Sequence, residues 1–121
     1  MTVHECRWSV ESKAPGGHVL ADKKCEGYYI TMSFVDPERR GQGLGKQLYR
    51  NLFSHGAKHG LRVHSDDHVS NSATGVWESL KKEGHDIRKH PAARQTSGSL
   101  GGTGWSTYGD PVYTYYPPKK A

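Results

Sequence analysis

Eight consecutive residues, Arg39-Arg40-Gly41-Gln42-Gly43-Leu44-Gly45-Lys46, carry the strongest chemical signal in this chain of 121 residues. Glycines at alternate positions leave the backbone bare, so an anion can approach its N–H groups closely. Arg39, Arg40 and Lys46 put positive charge at the same place. If a helix starts there, its free N–H groups and dipole complete a cradle for phosphate. Two common phosphate motifs fail on the run. It lacks the Gly-x-x-x-x-Gly-Lys-Ser/Thr spacing of a P-loop, and a dinucleotide Gly-x-Gly-x-x-Gly counted from Gly41 would need glycine where Lys46 stands.

A second group of residues could move protons. His64, Asp66, Asp67 and His68 crowd into five positions, with Ser70 and Ser72 just beyond, and Glu26 stands earlier in the chain. Of these, His64 and Asp66 are the candidate proton acceptors. The serines could meet a thiol or cap a helix. The same histidines and aspartates invite a metal reading, as do His55 and His59, four apart. The His-Glu-x-x-His zinc motif has Gly56 where its glutamate belongs, so the sequence assigns no metal.

These residues need elements to hold them. Strands are expected at Glu5 to Glu11, His18 to Lys23 and Tyr28 to Val35, separated by Pro15-Gly16-Gly17 and Glu26-Gly27 turn chemistry, which makes an antiparallel meander. After Asp36-Pro37-Glu38 the apolar period lengthens, and Leu44, Leu48 and Leu52 with Tyr49 and Phe53 predict a helix from about Gly43 to Lys58, ended by Gly60. Leu61 to His64 reads as a strand parallel to Tyr28 to Val35. Ala73, Val76, Trp77 and Leu80 predict a second helix over Asn71 to Lys82, with Ser70 or Ser72 as its cap. His85 to His90 and Val112 to Tyr116 are further strands. Between them, residues 95–110 are rich in Gly, Ser and Thr and read as a flexible loop, with Trp105 and Tyr108 inside it, and residues 117–121 as a frayed tail. The whole forms one expected domain, 1–121, of the α/β (α+β) class: a mixed, mostly antiparallel sheet with a β-meander, a central parallel strand pair and two main helices.

The order strand, glycine turn, amphipathic helix resembles the GNAT superfamily of acyl-CoA-dependent N-acetyltransferases, whose signature is Gln/Arg-x-x-Gly-x-Gly/Ala. Arg40-Gly41-Gln42-Gly43-Leu44-Gly45 fits it, led in by Phe34-Val35-Asp36-Pro37-Glu38-Arg39, and the resemblance covers roughly Tyr28 to His85. It implies acetyl-CoA as cofactor. Phe34 and Val35 would offer backbone to the pantetheine arm, with the oxyanion donor near Val35. Gln42, Gly43, Gly45 and Lys46 would meet the phosphates, within a cofactor site that also takes in Arg39, Arg40, Gly41, Leu44 and Ser72. The family's second helix has the form Asn-x-x-Ala-x-x-aliphatic-Tyr, against Ser70-Asn71-Ser72-Ala73-Thr74-Gly75-Val76-Trp77 here. Trp77 stands where many members place a tyrosine that protonates the CoA thiolate, and an indole N–H cannot supply that proton. Tyr29 falls at or near the position where some members carry a glutamate base. The catalytic candidates are therefore Tyr29, His64, Asp66, Ser70 and Trp77.

The implied activity is acetyl transfer to a primary amine by direct attack, which positioning alone can promote by ~7–11 kcal/mol. The acceptor would be a protein lysine or another macromolecular amine. Alternatives are a catalytically weak CoA-binding module and an acyltransferase directed at nucleic acid. The formal charge of +5 suits any anionic partner, but the basic residues are scattered and form no nucleic-acid motif. The chain opens almost directly on the family's second strand, which implies a short form without the first strand and the helical pair that wall the acceptor site, working as a monomer or homodimer. No run is apolar enough to span a membrane and the start is not a signal peptide, so the expected location is cytoplasmic, with Cys6 and Cys25 as buried free thiols.

Overall fold

The structure is a computed structural model that describes residues 2–96, 104–107 and 109–118. In chain order its strands are β1 (Thr2–Glu5), β2 (Ser9–Ala14), β3 (Gly17–Lys24) and β4 (Gly27–Val35), followed by a 3-10 turn at Pro37–Arg39 and helix α1 (Leu44–Lys58). Then come β5 (Arg62–His64), β6 (His68–Ser70), helix α2 (Asn71–Lys82), β7 (Ile87–Lys89), β8 (Arg94–Thr96), β9 (Gly104–Ser106) and β10 (Tyr113–Tyr115). A seven-stranded sheet runs β1-β2-β3-β4-β5-β10-β7, and a three-stranded sheet runs β6-β9-β8. Only β4 and β5 pair in parallel within the larger sheet, as a strand-helix-strand crossover requires.

The meander and both helices stand where the apolar pattern puts them. Leu44, Leu48, Tyr49, Leu52 and Phe53 form the buried stripe of α1, and Trp77 and Leu80 that of α2. Ser70 caps α2, its Oγ accepting the Ala73 N–H at 3.2 Å. Phe53 stacks on Tyr115, and Trp77 on Tyr113. Both helices therefore pack on one face of the sheet, over Tyr28 and Val63. Side chains alternate along a strand, so Tyr29 and His64 turn to the opposite face. Met32 and Phe34 are 54% and 43% exposed there.

The structure departs from the sequence reading at both ends. The strand expected over Glu5 to Glu11 is two: the chain turns back after Glu5, and β1 pairs antiparallel with β2. A short strand thus precedes the meander, although among the described residues no helix does. The loop expected over 95–110 contributes β8 and β9, which pair with each other and with β6. Three-residue strands have too few positions to show a period, which is why they escaped notice. Tyr108 and residues 119–121 lie outside the described residues. Cys6 and Cys25 are free, but both are exposed rather than buried.

Candidate functional site

Strand β4 pairs with β5 only at its start. Gly27, Tyr28 and Tyr29 face Arg62, Val63 and His64, and beyond them the chains part, β4 running on to Val35 while the other strand leads off to β6. The close start depends on Gly27: a Cβ there would lie 2.2 Å from the Arg62 carbonyl oxygen. Past the fork, β3 and β4 slip register between Leu20 and Ala21, so Thr31 bulges without a partner residue. Bulges bend a strand and disturb its ladder. The edge of β4 that faces away from β3 is thereby open along Thr31 to Val35.

A cleft of about 470 Å³ follows this edge, between Phe34 and Val35 on one side and Ser72, Ala73 and Val76 of α2 on the other. Its outer end is the glycine turn, through Arg39, Arg40 and Gly41. A smaller cavity of about 190 Å³ continues toward the fork, lined by Ile30, Thr31, Ser65, Asp66 and His68 among others. Ser33, Tyr49, Ser70 and Ala73 border both.

The turn is built for an anion. Gly41 and Gly43 have φ of +79° and +80°, and a Cβ at either would meet nothing within 4 Å. Glycine is needed there for conformation, and the space beside it is empty. Gly43 is the N-cap of α1, with no side chain capping the first turn and no acidic residue in it. The first N–H groups of α1 are thus left for a ligand. The flanking side chains are arranged differently from the sequence expectation. Arg40 donates from Nε to the Val35 carbonyl at 3.1 Å, and Gln42 to the Glu38 carbonyl at 3.4 Å. Lys46 is ion-paired with Glu83, which also holds Arg50, so its ammonium points to α2 rather than to the turn. Leu44 is buried, and Gly45 lies against Val35 and Val76.

The proton-transfer candidates divide. Asp66 lines the smaller cavity, accepts the Asp67 N–H at 2.8 Å and has its pKa raised from the ordinary value, chiefly by burial. Ser70 borders both cavities but spends its oxygen on the helix cap. Trp77 is 1% exposed, stacked on Tyr113 and edge-on to Tyr49; it packs in the core and also lines the smaller cavity. Tyr29 and His64 stack on each other at 4.4 Å on the far face of the sheet and line neither cavity. His64 hydrogen-bonds Thr114 through Nδ1 at 2.9 Å, and its Nε2 is buried without a partner. Burial, with Arg62 nearby, lowers its pKa and keeps the ring neutral. Val35, expected near the oxyanion, lies at the glycine-turn end of β4 and lines only the larger cleft.

Sequence reasoning passed over Tyr49 as anything but core. It comes from α1, is 3% exposed, and stands where the two cavities meet. Burial raises its pKa, while the Ser33 hydroxyl and the Trp77 indole, both hydrogen-bonding to it, favour the phenolate. Its apolar helix position hid it, and only the pairing of Trp77 with a neighbouring phenol could have been a signal.

This fold is that of known proteins. A family model described as Acetyltransferase (GNAT) family matches residues 10–80. Among solved structures, the ribosomal-protein-S18-alanine N-acetyltransferase from Escherichia coli superposes with a TM-score of 0.64 at 18% identity, over 98% of this chain and 74% of that one. The anti-CRISPR protein AcrVA5 does so with a TM-score of 0.51 at 19% identity, over 81% of this chain and 97% of that one. A GNAT family acetyltransferase from Elizabethkingia anophelis with acetyl-CoA bound gives a TM-score of 0.54 at 18% identity, over 91% and 75%. No match occurs among curated protein sequences.

The chain belongs to the GNAT acetyltransferase family. It is accordingly an acyl-CoA N-acyltransferase with acetyl-CoA as cosubstrate, and the empty turn at Gly41 and Gly43 fits a phosphate-bearing cosubstrate. No helix among the described residues is long and apolar enough to cross a membrane.

Proposed function

We propose that the acetyl group passes directly from acetyl-CoA to a primary amine on a macromolecule, a protein lysine above all, presented at the fork between β4 and β5. The observation that carries this is the continuous path from the uncapped glycine turn, along the free edge of β4, to the smaller cavity at the fork. In this reading the Gly41 to Gly45 backbone receives the pyrophosphate and the Thr31 to Val35 edge receives the pantetheine arm. The amine nitrogen attacks the thioester carbonyl, the carbon–sulfur bond breaks, and the acetylated amine gives up a proton.

Asp66 takes that proton, directly or through water. Its raised pKa makes it a better acceptor than an exposed carboxylate. Tyr49 gives a proton to the departing thiolate. A phenol buried in this way stays protonated at neutral pH, and the donors at Ser33 and Trp77 stabilise the phenolate it leaves behind. Trp77 thus acts through Tyr49 and not by itself. The macromolecular acceptor is favoured by the uncovered far face of β4, where exposed Met32 and Phe34 border the approach to the fork.

The test is thiol release from acetyl-CoA with lysine-bearing peptides and proteins, polyamines and nucleic acid as acceptors, products read by mass spectrometry. Transfer to protein lysines is expected. Saturable CoA binding without thiol release for any acceptor leaves a binding module, and absence of CoA binding removes the proposal altogether.

A further inference from the structure

Far from the cleft, at the C-terminal end of α1, the fold brings a carboxylate to two histidines that the sequence keeps 50 or more residues away from it. His55 and His59 are one helical turn from each other, and Glu5 arrives from the end of β1. Their candidate ligand atoms all lie within 4.8 Å of one another. The Nε2 of His55 is 3.3 Å from Glu5 Oε1, and the rings of His55 and His59 are 5.3 Å apart at 69°. A third candidate ligand is thus supplied to the two helical histidines from a distant strand, which no helical motif would reveal.

We propose that Glu5, His55 and His59 form a binding site for a divalent transition metal, zinc being the probe of choice. Two imidazoles and one carboxylate are the donor set of a three-ligand zinc site that leaves a fourth position for water, and imidazole nitrogen suits zinc, copper and nickel over the hard cations. The carboxylate is already in place. Glu5 accepts from Tyr28 Oη at 3.2 Å, which fixes its carboxylate beside the two imidazoles. Lys23 is the opposing charge, 3.4 Å from Glu5 Oε1, but its ammonium also reaches the Cys6 carbonyl at 3.2 Å and can withdraw to it when a cation enters.

The bound metal clamps β1 to α1. That strand has an edge position and only Val3 partly buried, so little apolar burial holds it. Binding to the folded state alone raises the unfolding temperature by mass action.

The experiment starts from the full chain stripped with a chelator. Zinc is titrated in competition with a chromophoric chelator, the melting temperature is followed alongside, and cobalt(II) is used for its ligand-field absorption. One zinc per chain is expected, with a rise in melting temperature that saturates at that ratio. His59→Ala and Glu5→Gln, both surface changes that leave the core intact, should each weaken binding by more than the roughly 10–100-fold that loss of an outer-shell partner costs. His90→Ala, at a histidine paired with Asp110 elsewhere, should leave it unchanged. Non-saturating uptake, or a one-to-one site that survives both ligand variants, overturns the assignment. The result does not depend on the acetyltransferase reading, which thiol release tests separately.

Discussion

The two ends of the cleft are built by different means. At the proposed phosphate end, the groups invoked lie within a dozen residues, Phe34 to Gly45, and are main-chain groups. At the fork, the groups come from β4, α1, α2 and the segment after β5, and are side chains. Backbone recognition at a helix start needs glycine in particular conformations, and little else. Proton transfer needs a residue of the right kind at one point in space, which any neighbouring element can supply. The phosphate end is therefore tied to a sequence motif, and the fork is free to exchange Trp77 and Tyr49 between core and chemistry.

The largest expected effect is at the phosphate end. Gly43→Val places a β-branched side chain at φ +80° in the space an anion would enter, and CoA binding should fall by roughly 100-fold or more, two lost contacts of about 1.5–3 kcal/mol to a charged group being enough. Gly60→Val is the control. Its φ is +68°, its surroundings are equally open, and it stands beyond the far end of α1. Both variants should lose similar stability in urea, on the order of 1–3 kcal/mol, but only the first should lose CoA affinity by calorimetry. Equal loss of affinity in both would mean that strain, not the cradle, matters.

At the fork, Tyr49→Phe should lower kcat by about 100-fold, the lower range for a general acid, while CoA affinity changes little. The phenyl ring preserves the packing against Phe53 and Trp77, so a fall in kcat measured by thiol release reports the hydroxyl. An unchanged kcat would return Tyr49 to the core.

The same contrast explains what could be read in advance. Arg40 to Gly45 announced the cradle because its parts are contiguous and the helix after it has a clear period. Helix α2 was legible for the same reason, its cap narrowed to Ser70 or Ser72, of which the structure uses Ser70. Tyr29 and His64 were drawn toward the site because they lie at the fork in sequence register, but strand alternation turns both to the opposite face, since Tyr28 and Val63 already fill the helix side. Tyr49 hid inside a leucine stripe. The small sheet β6-β9-β8 depends on a pairing between segments about 36 residues apart in sequence, with a second about 10 apart, and its strands are too short to carry a pattern.

A third, smaller effect tests that correction for His64. Its pKa is lowered from 6.5 by burial, so the unfolded chain binds the proton more readily. The stability it confers is complete above pH 6.5 and declines as pH falls through the lower folded value. Replacement by phenylalanine keeps a ring against Tyr29 and removes the titration. Urea unfolding from pH 7.5 down to about 5 should show the native protein losing stability relative to His64→Phe; a wild-type curve that stays parallel would mean that folding leaves the pKa of the ring unshifted, and so that the ring is not desolvated.

The smallest effect concerns the tie between the helices that hold the two ends together. Glu83, in the turn after α2, takes both Lys46 and Arg50 of α1, and these cations lower its pKa from 4.5 to about 2. A depressed carboxylate stabilises the fold above its unfolded pKa and loses that contribution as pH falls toward its folded one. The difference in melting temperature between the native protein and Glu83→Gln should therefore be constant above pH about 5 and vanish between 4.5 and about 2. The ions are exposed to water, so molar salt should shrink the difference even at neutral pH. The variant also releases Lys46 beside the glycine turn. If the phosphate end relies on main-chain groups, CoA affinity should hardly change when that ammonium is freed; a clear gain would show that Glu83 withholds a cation the cradle can use.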